Sequence, residues 1–134
     1  MGKIKVLTGN YSAAEAAALC HPDLIAAYPI TPQSSVVEYL AGLVHDGAID
    51  ANLVQVESEH SAMSVVQGAA AGGGRVFTAT SAQGLALMYE PYFRMSTLRF
   101  PMVMALATRE MTSPETVWSL SLIHISEPTR QAEI

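Results

Sequence analysis

Four short stretches of this chain gather side chains that can do chemistry: Pro29-Ile30-Thr31-Pro32, Glu57-Ser58-Glu59-His60, Thr80-Ser81-Ala82-Gln83-Gly84 and Thr108-Arg109-Glu110. Thr31 stands between two prolines, each of which locks φ near about −65° and withholds a backbone donor, so this loop is built to hold one shape. Glu59 opens an otherwise apolar segment. It either complements a helix dipole, worth about 0.3–1 kcal/mol, or serves as a buried carboxyl that shares a proton with a ligand nitrogen. Arg109 ends an apolar run, as a surface arginine at a sheet edge or as a planar fork for a ligand carboxylate, which suits guanidinium better than an ammonium. Thr31 on its own is a turn residue. His60 reads as a satisfied imidazole at a helix start and His45 as a solvated one at a helix end, and neither has partners at metal-ligand spacing.

These residues need elements to hold them. The pattern predicts a strand over 4–9 (IKVLTG), a helix over 12–20 capped by Ser12 with Glu15 three residues on, and a strand over 23–29. A helix follows over 35–44 with Ser35 and Glu38 as a second capping box, closed by Asp46-Gly47, then an alternating strand over 52–57. A small-residue helix over 59–74 ends in three glycines. Those glycines follow a helix and precede a strand, the reverse of a phosphate-cradling loop, so they read as a C-cap and a sharp return. A strand over 75–80, a helix over 82–90 broken near Pro91, and a buried strand over 101–109 complete the pass.

Alternation of this kind argues for an α/β fold, a parallel sheet flanked by helices. Ligands in such sheets sit outside the carboxyl ends of the strands. All four chemically unusual stretches follow strands, so Thr31, Glu59, Ser81 and Arg109 are expected along one edge.

The totals narrow the function classes. With 134 residues, half of them hydrophobic and 14% charged, the chain is one domain or part of one, with a real core. A net charge of −5 without any basic cluster disfavours nucleic acid as a partner. The single cysteine, Cys20, excludes an intrachain disulfide and a Cys-only metal or iron–sulfur site in this chain, and reads as a small buried hydrophobe near a helix end. No secretory h-region or long apolar run occurs, and Met1-Gly2 is followed by Val6 where a myristoylation motif wants Ser or Thr. No membrane association and a cytoplasmic location are expected.

The segments AYPITPQSSVVEYL, VESEHSAMSVVQGAAAGGGRVFTATSAQGLALMYE and FPMVMALATRE, taken in this order, resemble the start of the alpha subunit of 2-oxoacid:ferredoxin oxidoreductases, the pyruvate synthase type. The likeness runs from about residue 5 to 119 and is carried by the Tyr-Pro-Ile-Thr-Pro loop and the Thr-Ser-x-x-Gly turn. It implies a thiamine-diphosphate enzyme, with residues 1–119 as a fragment of the domain that binds the aminopyrimidine ring. Carried over by position, Glu59 matches the glutamate that hydrogen-bonds the pyrimidine N1′ and favours the imino tautomer, whose nitrogen then takes the thiazolium C2 proton. Thr31 matches the threonine near the 2-oxoacid and cofactor, and Arg109 the arginine that pairs with the substrate carboxylate. Pro29, Thr80, Ser81, Gln83 and Gly84 are the further positions expected at the cofactor. The prolines then preorganise a hydroxyl beside a reacting carbon.

No Gly-Asp-Gly with a following Asn pair occurs, nor any cysteine cluster. The resemblance implies that the diphosphate site with its Mg2+ and the iron–sulfur clusters lie on partner chains. The implied reaction is oxidative decarboxylation of a 2-oxoacid, or its reverse, with acyl transfer to coenzyme A and electrons to ferredoxin. Pyruvate is the expected substrate, with branched-chain and aryl 2-oxoacids as alternatives within the family. A different class of reading is a non-catalytic α/β module that binds a nucleotide or a partner chain at the same edge. The triplet Thr31, Glu59 and Arg109 argues against it, because mere binding does not need all three.

Residues 120–134, LSLIHISEPTRQAEI, fall outside the resemblance and read like a translated sequencing adapter, so a non-native tail after about Ser119 and a truncated gene are expected. Ile123 and Ile125 should then bury little surface. Sequencing the genomic locus across codon 119 should show a reading frame that departs from this tail; an intact locus encoding Leu120 to Ile134 would overturn the adapter reading.

Overall fold

The strand and helix signals assemble, in a computed structural model that describes residues 4–109, into nine elements. In chain order they are α1 (Gly9–Leu19), β1 (Leu24–Ala27), α2 (Ser34–His45), β2 (Asn52–Gln55), α3 (Glu59–Ala71), β3 (Val76–Ser81), α4 (Ala82–Leu87), α5 (Tyr89–Leu98) and β4 (Met102–Ala107). The four strands form one parallel sheet in the order β2-β1-β3-β4. The α/β architecture expected from the sequence is the one observed.

Both sheet faces are covered, and the side-chain alternation of the strands sorts the core into two layers. Ile25, Phe77 and Ala79 face Ala14, Ala17 and Ala18 of α1 and Val36 and Leu40 of α2. Ala26 and Val76 face Met63, Val66 and Ala70 of α3, with Met88 and Met95 beyond them. Central strand β3 is buried along its whole length, as expected of a parallel strand covered on two sides.

The strand order sets where a site can form. From β1 the chain crosses to β2 on one side, and from β3 it crosses to β4 on the other. Neighbours β1 and β3 therefore send their following segments in opposite directions, which leaves a crevice between their carboxyl ends. The β1–β3 pairing runs only through Leu24 with Val76 and Ile25 with Phe77. Just past it, the buried Thr78 hydroxyl donates to the Ala26 carbonyl at 2.7 Å. A side chain thus carries the connection between the two strands beyond their ladder.

Several local expectations are corrected. Residues 4–8 are not a strand: Ile4 and Val6 are almost wholly exposed and find no neighbouring strand. Helix α1 begins at Gly9 and not at Ser12, because the Thr8 hydroxyl accepts from the Tyr11 amide a turn earlier. Glu15 is not in a capping box; its carboxyl accepts from Lys5 and from the Tyr39 hydroxyl, and both bonds hold it below the usual carboxylate range. The second capping box also fails. Helix α2 starts at Ser34 after Gln33, and Ser35 instead receives a bond from Asn10.

The helical break falls at Met88, and Pro91 lies inside the first turn of α5, where its missing N–H costs nothing. Among the described residues strand β4 lies at the edge of the sheet and is only partly buried, with Val103 62% exposed. Cys20 is exposed at the C-cap of α1. The glycine run does end its helix: Gly72 caps α3 and Gly73 takes φ +88°, which glycine adopts at no steric cost. Ile123 and Ile125 of the tail lie outside the described residues.

Replacing Thr78 by Val keeps the shape of the side chain and removes the hydroxyl that serves Ala26. The expected loss is about 1–3 kcal/mol of stability, the cost of a buried polar group left unmade. It is read as a lowered urea midpoint with an unchanged slope.

Candidate functional site

All four chemically unusual stretches follow strands of the parallel sheet, and those around Thr31, Ser81 and Arg109 meet at the crevice between β1 and β3. Strand β3 passes from Ser81 straight into α4 without a loop, and the turn takes Ala82 to φ +21°. This abrupt turn aims Ser81 and Gln83 across the crevice. The Ser81 hydroxyl donates to the Thr31 carbonyl at 2.8 Å, so the end of β3 holds the loop that follows β1. Arg109, just past β4, spans both: its Nη1 donates to the Thr31 hydroxyl at 3.1 Å, and its Nε and Nη2 donate to Gln83 Oε1 at 3.2 and 2.8 Å. Thr31, Ser81, Gln83 and Arg109, which lie up to 78 residues apart, form one connected network.

The loop carrying Thr31 is braced from behind. Asn10 of α1 donates through Nδ2 to the Pro32 carbonyl at 2.7 Å and to Ser35 Oγ at 2.8 Å. Gln33 is fully buried and its Nε2 donates to the Tyr28 carbonyl at 3.0 Å. The Thr31–Pro32 peptide is cis. Pro29 is exposed on the rim of the same loop. Sequence reasoning missed Asn10 and Gln33. Gln33 carried a faint signal, as a polar residue between a proline and two serines; Asn10 carried none, since its partners are 22 and 25 residues away.

A second group lies on the side of the sheet covered by α3. Glu59 is the first residue of that helix, set there by Ser58, whose hydroxyl accepts from the Ser61 amide at 3.1 Å. Despite its charge type, Glu59 is only 6% exposed. No basic side chain pairs with it among the described residues. It packs against Gly84 so closely that a Cβ there would stand 2.8 Å from Glu59 Oε1 and 2.2 Å from Thr80 Oγ1. Only glycine fits. Thr80 is fully buried on β3, and its hydroxyl has no hydrogen-bond partner among the described residues. An unpartnered buried hydroxyl beside a buried acid is a costly arrangement for a merely structural core.

The neighbouring acid behaves differently. Glu57 accepts from the Ser61 hydroxyl at 2.7 Å, and this bond, with one from its own backbone, holds its carboxyl below the usual range. The start of α3 therefore has one exposed acid, Glu57, just before the cap and one enclosed acid, Glu59, at the first helical residue.

The histidines stand apart. His60 is exposed on the outer side of α3, with Nε2 3.6 Å from Glu90, and His45 is exposed at the end of α2. Among the described residues no group of three or more His, Cys, Asp or Glu is placed to hold a metal. No helix among them is long and apolar enough to cross a membrane.

Comparison with known proteins gives the family of the chain. The chain is 55% identical over 119 residues to the pyruvate synthase subunit PorA of Methanocaldococcus jannaschii, a match covering 89% of this chain and 31% of the relative. It is 50% identical over 116 residues to the NADH-dependent phenylglyoxylate dehydrogenase subunit alpha of Aromatoleum evansii, covering 87% of this chain and 28% of that one. Among solved structures, the 2-oxoglutarate:ferredoxin oxidoreductase of Magnetococcus marinus, determined with 2-oxoglutarate, coenzyme A and succinyl-CoA bound, superposes with a TM-score of 0.74 at 32% identity, over 80% of this chain and 18% of that one. The chain thus spans less than a third of the length of these relatives. The family described as pyruvate flavodoxin/ferredoxin oxidoreductase, thiamine diP-bdg, matches residues 15–119, and the chain belongs to that family.

Proposed function

We propose that this chain supplies the pyrimidine-side half of a thiamine diphosphate site in a 2-oxoacid:ferredoxin oxidoreductase, within an alpha subunit that works with partner chains. The observation that carries the reading is the enclosed Glu59 carboxyl, pressed against Gly84 beside the unpartnered Thr80 hydroxyl where β3 passes into α4.

The residues present fit the group. An aminopyrimidine is flat and rimmed with nitrogens, so it suits a site that offers a carboxyl, a free hydroxyl and a glycine in place of any side chain. When bound, thiamine diphosphate supplies the electron sink for breaking a carbon–carbon bond beside a 2-oxo group. Glu59 holds a proton between its carboxyl oxygen and a ring nitrogen, in an enclosure where water does not compete. Gly84, with no side chain, lets Glu59 and Thr80 lie directly against the start of α4. Arg109 offers its guanidinium to the carboxylate of the 2-oxoacid, and Thr31 places a hydroxyl and a braced backbone beside it.

Pyruvate is the substrate we favour, with a bulkier 2-oxoacid as the alternative inside the family. The diphosphate and its Mg2+, the iron–sulfur clusters that pass electrons to ferredoxin, and the coenzyme A site belong in this reading to other parts of the assembly, in the cytoplasm. We also keep residues 120–134 as a non-native tail.

The test is made in the full-length subunit assembled with its partners. Glu59→Gln retains a hydrogen-bonding side chain but cannot share a proton, so proton exchange at C2 of bound thiamine diphosphate should slow by about 10²–10⁴. Exchange at the parental rate would reduce Glu59 to a helix-start charge. Arg109→Ala should chiefly raise the 2-oxoacid KM, and Thr31→Ala should have a smaller effect than Glu59→Gln.

Gly84→Ala provides a separate check. The added methyl must displace Thr80 or Glu59, so thiamine diphosphate affinity, followed by fluorescence titration, should fall by at least about tenfold, which corresponds to about 1.4 kcal/mol. Unchanged affinity would place the ring elsewhere.

A further inference from the structure

Gln83 is among the positions expected at the cofactor, yet the bonds it makes point to another task. Its Oε1 accepts from both Nε and Nη2 of Arg109, at 3.2 and 2.8 Å, while Thr31 Oγ1 accepts from Nη1 at 3.1 Å. A guanidinium carries five N–H donors in one plane. These three bonds fix that plane along one edge and at one end, and leave two donors to face a ligand.

Both acceptors are neutral. Among the described residues no carboxylate lies within ion-pairing distance of Arg109. The described residues therefore orient the arginine without neutralising it, which leaves its charge to an entering anion. A glutamate at position 83 could offer the same two-pronged acceptor, but it would complete an ion pair and compete with the ligand. The amide gives the geometry and withholds the charge.

We propose that Gln83 is a positioning residue that makes Arg109 selective for the carboxylate of the substrate: it sets the guanidinium plane and, being neutral, keeps that charge available. The inference rests on the proposed role of Arg109 as carboxylate partner. Gln83 is exposed at the first turn of α4, so its replacement does not disturb the core.

The experiment compares pyruvate with its neutral isostere pyruvamide, by ligand-observed NMR titration of the full-length assembled protein freed of cofactor. The parent should favour pyruvate, and Arg109→Ala should abolish the preference. Gln83→Glu should weaken pyruvate binding by at least about tenfold, as a competing carboxylate on a charge-assisted fork would, with pyruvamide changed by less than about twofold. Gln83→Ala should give a smaller loss of the same kind. In the loaded enzyme the Gln83→Glu effect should fall on KM more than on kcat.

If both Gln83 variants keep the parental preference while Arg109→Ala loses it, the positioning role is overturned and the carboxylate role of Arg109 stands. Equal losses for both ligands would mark Gln83 as a general support and also overturn the proposal. A parent that binds the two ligands alike, unchanged by Arg109→Ala, would sink the carboxylate reading and this inference together.

Discussion

The network around Arg109 rests on one hydrogen bond: the Ser81 hydroxyl at the end of β3 donating to the Thr31 carbonyl beyond β1. Parallel strands that part at a switch point leave their following segments without ladder partners, and a loop in that position would ordinarily wander. Here β3 is extended by its own side chains. Thr78 serves Ala26 where the ladder stops, and Ser81 serves Thr31 farther out. The Pro29–Pro32 loop thus becomes a fixed wall of the crevice, and the bonds from Asn10 to Pro32 and Ser35 press it from the other side. With the wall fixed, Arg109 has a stationary hydroxyl to lean on and Gln83 a stationary fork to receive.

The same strand serves both functional groups because successive side chains point to opposite faces. Thr80 turns toward α3 and meets Glu59 and Gly84, while Ser81 ends the strand and reaches the loop after β1. A single one-residue step on β3 thereby separates the enclosed Glu59 from the Arg109 network. The enclosed acid and the exposed Glu57 show the same economy on α3, where the Ser58–Ser61–Glu57 chain of hydroxyls draws one carboxyl outward and leaves the other packed.

Much of this was legible in the sequence because it depends on local chemistry. A strand followed at once by Thr-Ser-x-x-Gly, a helix opened by Glu59, and two prolines around Thr31 each announce themselves within a few residues. The parallel sheet flanked by helices followed from alternation alone, although the first of the five expected strands, over 4–9, does not form. The misreadings have a common cause, since a local motif can be outbid by a partner far along the chain. Ser12 and Glu15 spell a capping box, but Thr8 caps first and Lys5 and Tyr39 take the glutamate. Ser35 answers to Asn10, and residues 4–8 have strand composition without a strand to pair with. Likewise the apolar run of β4 reads as buried, and only the strand order reveals that it lies at an edge.

The hydroxyls of β3 also act on folding. A central strand covered on both faces is prone to slip along its neighbours where apolar contacts alone hold it. Sliding β3 by one residue would point every side chain at the opposite helical layer. It would carry Thr78 away from Ala26 and Ser81 away from Thr31 in the same movement, stranding two buried hydroxyls at once. Misregistered pairings are thereby penalised before the helices close over the sheet. The strand that lines the crevice is also the one whose alignment the chain can least mistake.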